Sequence, residues 1–179
     1  MWNLSGGKDK LITALVFLTP ILVCCVGPIS YAAILEIRDP WIDSHMDQYL
    51  FLSSDTILET PYITGKIVII NPERKRVDPL HYKLSKELRA QAHEDVGTVV
   101  WLQREEKKVG AYLGGGSAYQ HVWHVTVIDF KRGVITAKQE IRGSEPPDTV
   151  YCRSDSPCNA SGDEPTSKVL EYLKSLPQK

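Results

Sequence analysis

The chain opens on a long apolar run and then changes to short periods typical of a water-facing domain. Residues 11–35 carry no charged side chain. A helix through them, rising about 1.5 Å per residue, crosses a hydrocarbon core of roughly 30 Å with some tilt. This predicts a transmembrane signal anchor behind a short tail, residues 1–10. Pro20 and Pro28 lie within the run, where a membrane helix tolerates them if neighbouring groups re-satisfy the freed carbonyls. Residues 36–60 hold no period for long and read as a membrane-proximal linker that packs loosely on the C-terminal domain.

From residue 61 onward the pattern predicts a folded domain reaching residue 179. Lys66 to Asn71 is a continuous β-branched run, which predicts a strand buried on both faces. Asp78 and Pro79 supply a helix N-cap and N1 position. Leu80, Leu84, Leu88 and Ala92 recur every four residues, predicting an amphipathic helix that frays near His93. Residues 98–102 form a second strand, the charged stretch Arg104-Glu105-Glu106-Lys107 a turn, and residues 108–113 a third strand. The fourth and longest covers residues 118–130, and Val134 to Arg142 the fifth. Short strands joined by tight turns predict an antiparallel meander. Residues 165–176 close the chain as a helix with Val169, Leu170, Leu173 and Leu176 on one side. The fold class expected is therefore α+β: a mainly antiparallel sheet with two helices packed on one face.

Charge and composition refine this picture. The formal net charge of −1 argues against nucleic acid as a partner, because phosphate binding needs an excess of Lys and Arg. Lys8 and Lys10 precede the apolar run, while Glu36, Arg38 and Asp39 come after it. The positive-inside bias then places the N-terminus in the cytoplasm and the domain outside. Trp2 and Trp41 bracket the run, as interfacial aromatics do. Ser30-Tyr31-Ala32 fits a signal-peptidase site, so cleavage after Ala32 is the rival to an uncleaved anchor. Neither Cys24 nor Cys25 has the small residue before it that a lipoprotein requires. The partners implied are membrane lipid through residues 11–35 and another envelope protein.

Candidate chemistry is sparse. Gly114-Gly115-Gly116 precedes a β pattern rather than a helix, which favours a hairpin turn over a phosphate cradle. His121 and His124 form H-x-x-H, but strand alternation sends them to opposite faces, so they do not share a metal. Asp129 falls on the His121 face, far along the strand. Neither metal, cofactor nor catalytic residue is assigned, and no G-x-S-x-G or H-E-x-x-H motif occurs. In an oxidising compartment Cys152 and Cys158 are expected to close a small loop as a disulfide. Asn159-Ala160-Ser161 is formally a glycosylation sequon, relevant only in a eukaryotic secretory pathway. Alternation puts Tyr119, His121 and Trp123 on one strand face, the expected binding surface, since aromatics are enriched at interfaces. The bland rival is that these rings are core.

The segments Val96-Gly97-Thr98-Val99-Val100-Trp101-Leu102, Gly114-Gly115-Gly116-Ser117-Ala118-Tyr119, Val127-Ile128-Asp129 and Gly143-Ser144-Glu145-Pro146-Pro147 carry a resemblance. Over residues 65–176 the chain resembles uncharacterised bacterial single-pass membrane-anchored proteins with a small exported domain. That resemblance implies no activity and transfers no functional residue. The function expected is a membrane-anchored extracytoplasmic domain with a non-catalytic binding or envelope-assembly role. The alternative, an exported hydrolase or metal-dependent enzyme, requires at least two of His121, His124 and Asp129 to converge in one pocket.

Overall fold

The computed structural model describes residues 39–52, 60–113, 115–151 and 158–179. The apolar run at 11–35, the tail before it, Ala32, Gly114 and Cys152 lie outside the described residues. So does the Cys152 end of the expected disulfide with Cys158. Among the described residues, no helix is long and apolar enough to cross a membrane.

The architecture is α+β, a mixed sheet with a few short helices. Strand β1 (Lys66–Asn71) is buried from Ile67 onward, as its β-branched run requires. It lies parallel to β3 (Val96–Ala111), which pairs antiparallel with β4 (Ser117–Asp129) from Thr98↔Asp129 to Ala111↔Ser117. On the far side of β4 lies β5 (Val134–Arg142), also antiparallel. Two-residue β2 (Arg76–Val77) turns back on β1, giving the order β2-β1-β3-β4-β5, and β6 (Ala160–Ser161) runs parallel to the start of β4. The sheet is thus mixed: β3-β4-β5 form an antiparallel meander, and β1 joins it in parallel.

Each face of the sheet carries its own core. On one face Ile67, Ile69, Val100, Leu102, Trp123, Val125 and Val127 pack beneath Leu80, Leu84 and the C-terminal helix, through Val169, Leu173 and Leu176. On the other, Val68, Ile70, Val99 and Ile128 pack against Ile42, Met46 and Tyr49. Those three residues come from α1 (Pro40–Ser44) and α2 (Met46–Leu50), inside the segment read as a linker. The Trp101 indole N–H donates to the Tyr49 carbonyl at 2.9 Å, tying the segment down further. Helices therefore cover both faces, which corrects the expectation of a one-sided cover. Trp41, expected at a membrane interface, is partly buried against this second core.

Two further expectations are corrected. The stretch beginning at Asp78 is not one amphipathic helix. It is a 3-10 helix at Pro79–Lys83, an extended residue at Leu84 (ψ 146°), and a second 3-10 turn at His93–Asp95. The reason is the outer edge of β1. β2 reaches only Ile70 and Asn71, so the buried Ile67 peptide needs other partners. The Ile67 N–H donates to Leu88 O at 2.7 Å, and Ala90 N–H donates to Ile67 O at 3.0 Å. Leucines spaced for a helix thus sit on a chain drawn out by the sheet. Second, Arg104 to Lys107 is no turn: the two strands expected around it are one, β3, whose charged half is exposed. Consecutive charged residues exposed on both faces of the strand carry no period-two signal, so the run looks like a turn. The closing helix is found as expected: α3 (Thr166–Ser175), with Pro165 and Leu176 at its caps and Val169 and Leu173 fully buried.

One glycine fixes how β1 and β3 are entered. A Cβ on Gly97 would lie 2.2 Å from the Thr64 carbonyl oxygen, so no larger residue fits without moving backbone. Thr98 Oγ1 locks the same crossing, accepting from Thr64 N–H and donating to Thr64 O, each at 2.8 Å.

Candidate functional site

The charged half of β3 begins where β1 ends, and this step in the sheet leaves a cleft of about 460 Å³. Its floor is set by cross-strand pairing. Arg104 lies opposite Trp123, and Glu106 opposite His121, on the face that carries the α3 core. Trp123 is 1% exposed, and the Arg104 guanidinium lies over its ring at 4.2 Å. Such a cation–π contact contributes about 0.5–2 kcal/mol, more as it is desolvated.

The same guanidinium is held by Asp78, the residue directly after β2 and the cap of the 3-10 helix. Arg104 Nη2 donates to Asp78 Oδ1 at 2.7 Å, and Arg104 Nη1 lies 3.7 Å from Glu164 Oε1. Asp78 is only 2% exposed. Its carboxylate also accepts from Leu80 N–H at 2.8 Å, so it caps the 3-10 helix as expected, while its own N–H donates to Ile69 O. A buried carboxylate is tolerated because charged and backbone donors meet it together. The consequence is a fixed guanidinium at the cleft floor, its orientation set on three sides.

Around it stand less constrained charges. Arg74 lines the cleft from the turn between β1 and β2, and Arg76 from β2 itself. Lys75 between them takes a positive φ of 47°, which reverses the chain. Both arginines are exposed, and neither has an ion-pair partner among the described residues. Glu106 lies 3.7 Å from His121 Nδ1, a cation only when protonated.

The residues singled out from the sequence are separated by this geometry. His121 lines the cleft, partly buried, while Trp123 is core beneath Arg104 and gives the cleft shape rather than a contact surface. Tyr119 is partly buried at the β6 end, its carbonyl accepting from Gly162 N–H at 3.1 Å. His124 faces the opposite side of the sheet and sits 3.4 Å from Glu105. Asp129 is buried at the other end of β4, where its carboxylate accepts from Tyr62 O–H at 3.1 Å and from Arg132 N–H. His121, His124 and Asp129 therefore do not converge. Among the described residues no group of three or more His, Cys, Asp or Glu side chains is placed to hold a metal. Asn159, first residue of the sequon, uses its Oδ1 to accept Ser117 N–H at 2.9 Å.

Two histidines stand out elsewhere. His81 is fully buried and neither ring nitrogen has a hydrogen-bond partner among the described residues. Burial, with Arg89 adding repulsion, pushes it down from 6.5 to about 4. His93 stacks on His45 with ring centroids 3.8 Å apart and accepts or donates a 2.7 Å bond with the Tyr49 hydroxyl. Its pKa is lowered, by desolvation first and by His45 second, with Glu94 opposing.

Arg104 and Asp78 were missed as a site from sequence. Had the strand been carried through Arg104, period-two alternation would have set it on the Leu102 face. No protein-family model matches the chain, no curated protein is similar to it, and no solved structure resembles it. The functional reading therefore stands on these side chains alone.

Proposed function

We propose that this chain is a membrane-anchored extracytoplasmic protein whose domain binds a small ligand, without catalysis, in the cleft above Arg104. Residues 11–35 supply the anchor, and the charge balance around them supports a cytoplasmic N-terminus. The observation that carries the binding role is a pair of exposed arginines in the cleft lining, Arg74 and Arg76, that have no ion-pair partner among the described residues. Arg104, held by Asp78 at 2.7 Å and seated on Trp123, fixes the floor beneath them. A cleft of about 460 Å³ is in the range of small-molecule sites.

The test uses the full-length chain purified from membranes and exposed to a small-molecule extract of the cell envelope. Masses retained by the wild type are compared with those retained by the Arg74→Glu/Arg76→Glu variant. The wild type is expected to retain a species that the variant loses, with both proteins remaining in the membrane fraction. Equal retention by both would remove the cleft from the binding role. Release of the uncleaved chain by alkaline extraction would remove the anchor.

A further inference from the structure

The cleft's charges separate into those the fold consumes and those it leaves over. Glu105 is set aside, because its carboxylate reaches His124 on the opposite face. The remaining lining then carries three arginines, Arg74, Arg76 and Arg104, and three acids, Asp78, Glu106 and Glu164. Arg104 and Asp78 satisfy each other at 2.7 Å. What is left is two guanidiniums, one from the β1–β2 turn and one from β2, and two carboxylates from β3 and the segment before α3.

Neither carboxylate is well neutralised. The Glu106 partner is a histidine 3.7 Å away, and Glu164 reaches only the far side of an already committed Arg104, also at 3.7 Å. The two side chains are 59% and 50% exposed, respectively. A purely anionic ligand would leave these acids facing its charge, and a purely cationic one would face Arg74 and Arg76. A ligand carrying both signs meets each with its complement, since like charges brought together are what reject a wrong partner.

Resting on the reading of this cleft as the binding site, we infer that its ligand is a small zwitterion of amino-acid or short-peptide type. The carboxylate end goes to Arg74 and Arg76, where a planar guanidinium matches it in a bidentate pair. The ammonium end goes to Glu106 and Glu164.

The test is calorimetric titration of the full-length chain in detergent with alanyl-alanine, its N-acetyl form (anion only) and its C-terminal amide (cation only). Free alanyl-alanine is expected to bind about tenfold tighter than either blocked form, as loss of one charge-assisted contact implies. Arg76→Gln is expected to weaken the free and acetylated forms, and Glu106→Gln the free and amidated forms. Both residues are exposed, so near-ultraviolet circular dichroism of the variants should match wild type. If the acetylated form binds as tightly as free alanyl-alanine, the zwitterion is overturned while the cleft remains an anion site. If no form binds, the peptide-like zwitterion is overturned, and retention of another species in the envelope-extract experiment would still support the cleft. Failure of that experiment as well would remove both.

Discussion

The side chain on which most depends is Arg104, because it belongs to the fold and to the cleft at once. It is 32% exposed, while its partner Asp78 is 2% exposed. Removing the guanidinium would strand a buried carboxylate, the situation in which ion pairs cost most, although partial exposure of Arg104 screens part of that cost. Arg104→Ala is therefore expected to lower stability by about 2 kcal/mol in urea unfolding. A loss under about 0.5 kcal/mol would show that Asp78 is held without it. Asp78 was legible as a helix cap, since an Asp before a Pro has a local reason to be there, and it does accept Leu80 N–H. Its ion pair was not legible. Asp78 and Arg104 meet only because β3 lies alongside β1, and that is a property of the sheet rather than of either neighbourhood. The alternation in β4 placed Trp123 and His121 on one face correctly, but exposure along that face was beyond it. Trp123 lies under Arg104, while His121 opens onto the cleft.

At the scale of elements, local signals held where the pattern matched the element that formed. β1 is announced by its continuous β-branched run and α3 by its apolar stripe, although both are completed by neighbours in the sheet and core. The leucine series from Leu80 failed because Leu88 and Ala90 answer the unpaired edge of β1. In α1 and α2, Ile42, Met46 and Tyr49 do keep a helical spacing, yet the segment is too short to announce itself beside charged neighbours. The irregular stretch that replaced the expected helix has an acid-sensitive consequence. His81 within it is held well below its ordinary value of 6.5, at about 4, by burial and then by Arg89. As pH falls, the unfolded chain takes up this proton before the folded one does. Stability present above about pH 6.5 is therefore lost progressively toward about pH 4, by about 3 kcal/mol for this residue alone. His93 is lowered as well, so its loss runs in the same direction. Urea midpoints of the wild type are expected to fall across that window more steeply than those of His81→Leu. Parallel slopes would assign the acid sensitivity to other groups.

At the scale of the whole molecule, a two-sided sheet supports a step at which β1 stops and β3 continues, and the cleft occupies that step. The core on each face fixes the backbone, and the free arginines and acids at the step are charges that packing does not require. That division explains why the fold class was readable and the site was not. Hydrophobic period reports burial, whereas the cleft is built of exposed charges brought together by register. The anchor proposed for residues 11–35 would fix where such a cleft works, and the cleft would decide what is held there. Thermal unfolding of the full-length chain in detergent, with and without alanyl-alanine, tests this most directly, because a ligand bound only by the folded state raises the unfolding temperature. The unfolding temperature is expected to rise with dipeptide concentration in the wild type and to stay flat in Arg76→Gln/Glu106→Gln. A flat wild type, or an equal rise in both proteins, would contradict a peptide-like ligand held between those charges.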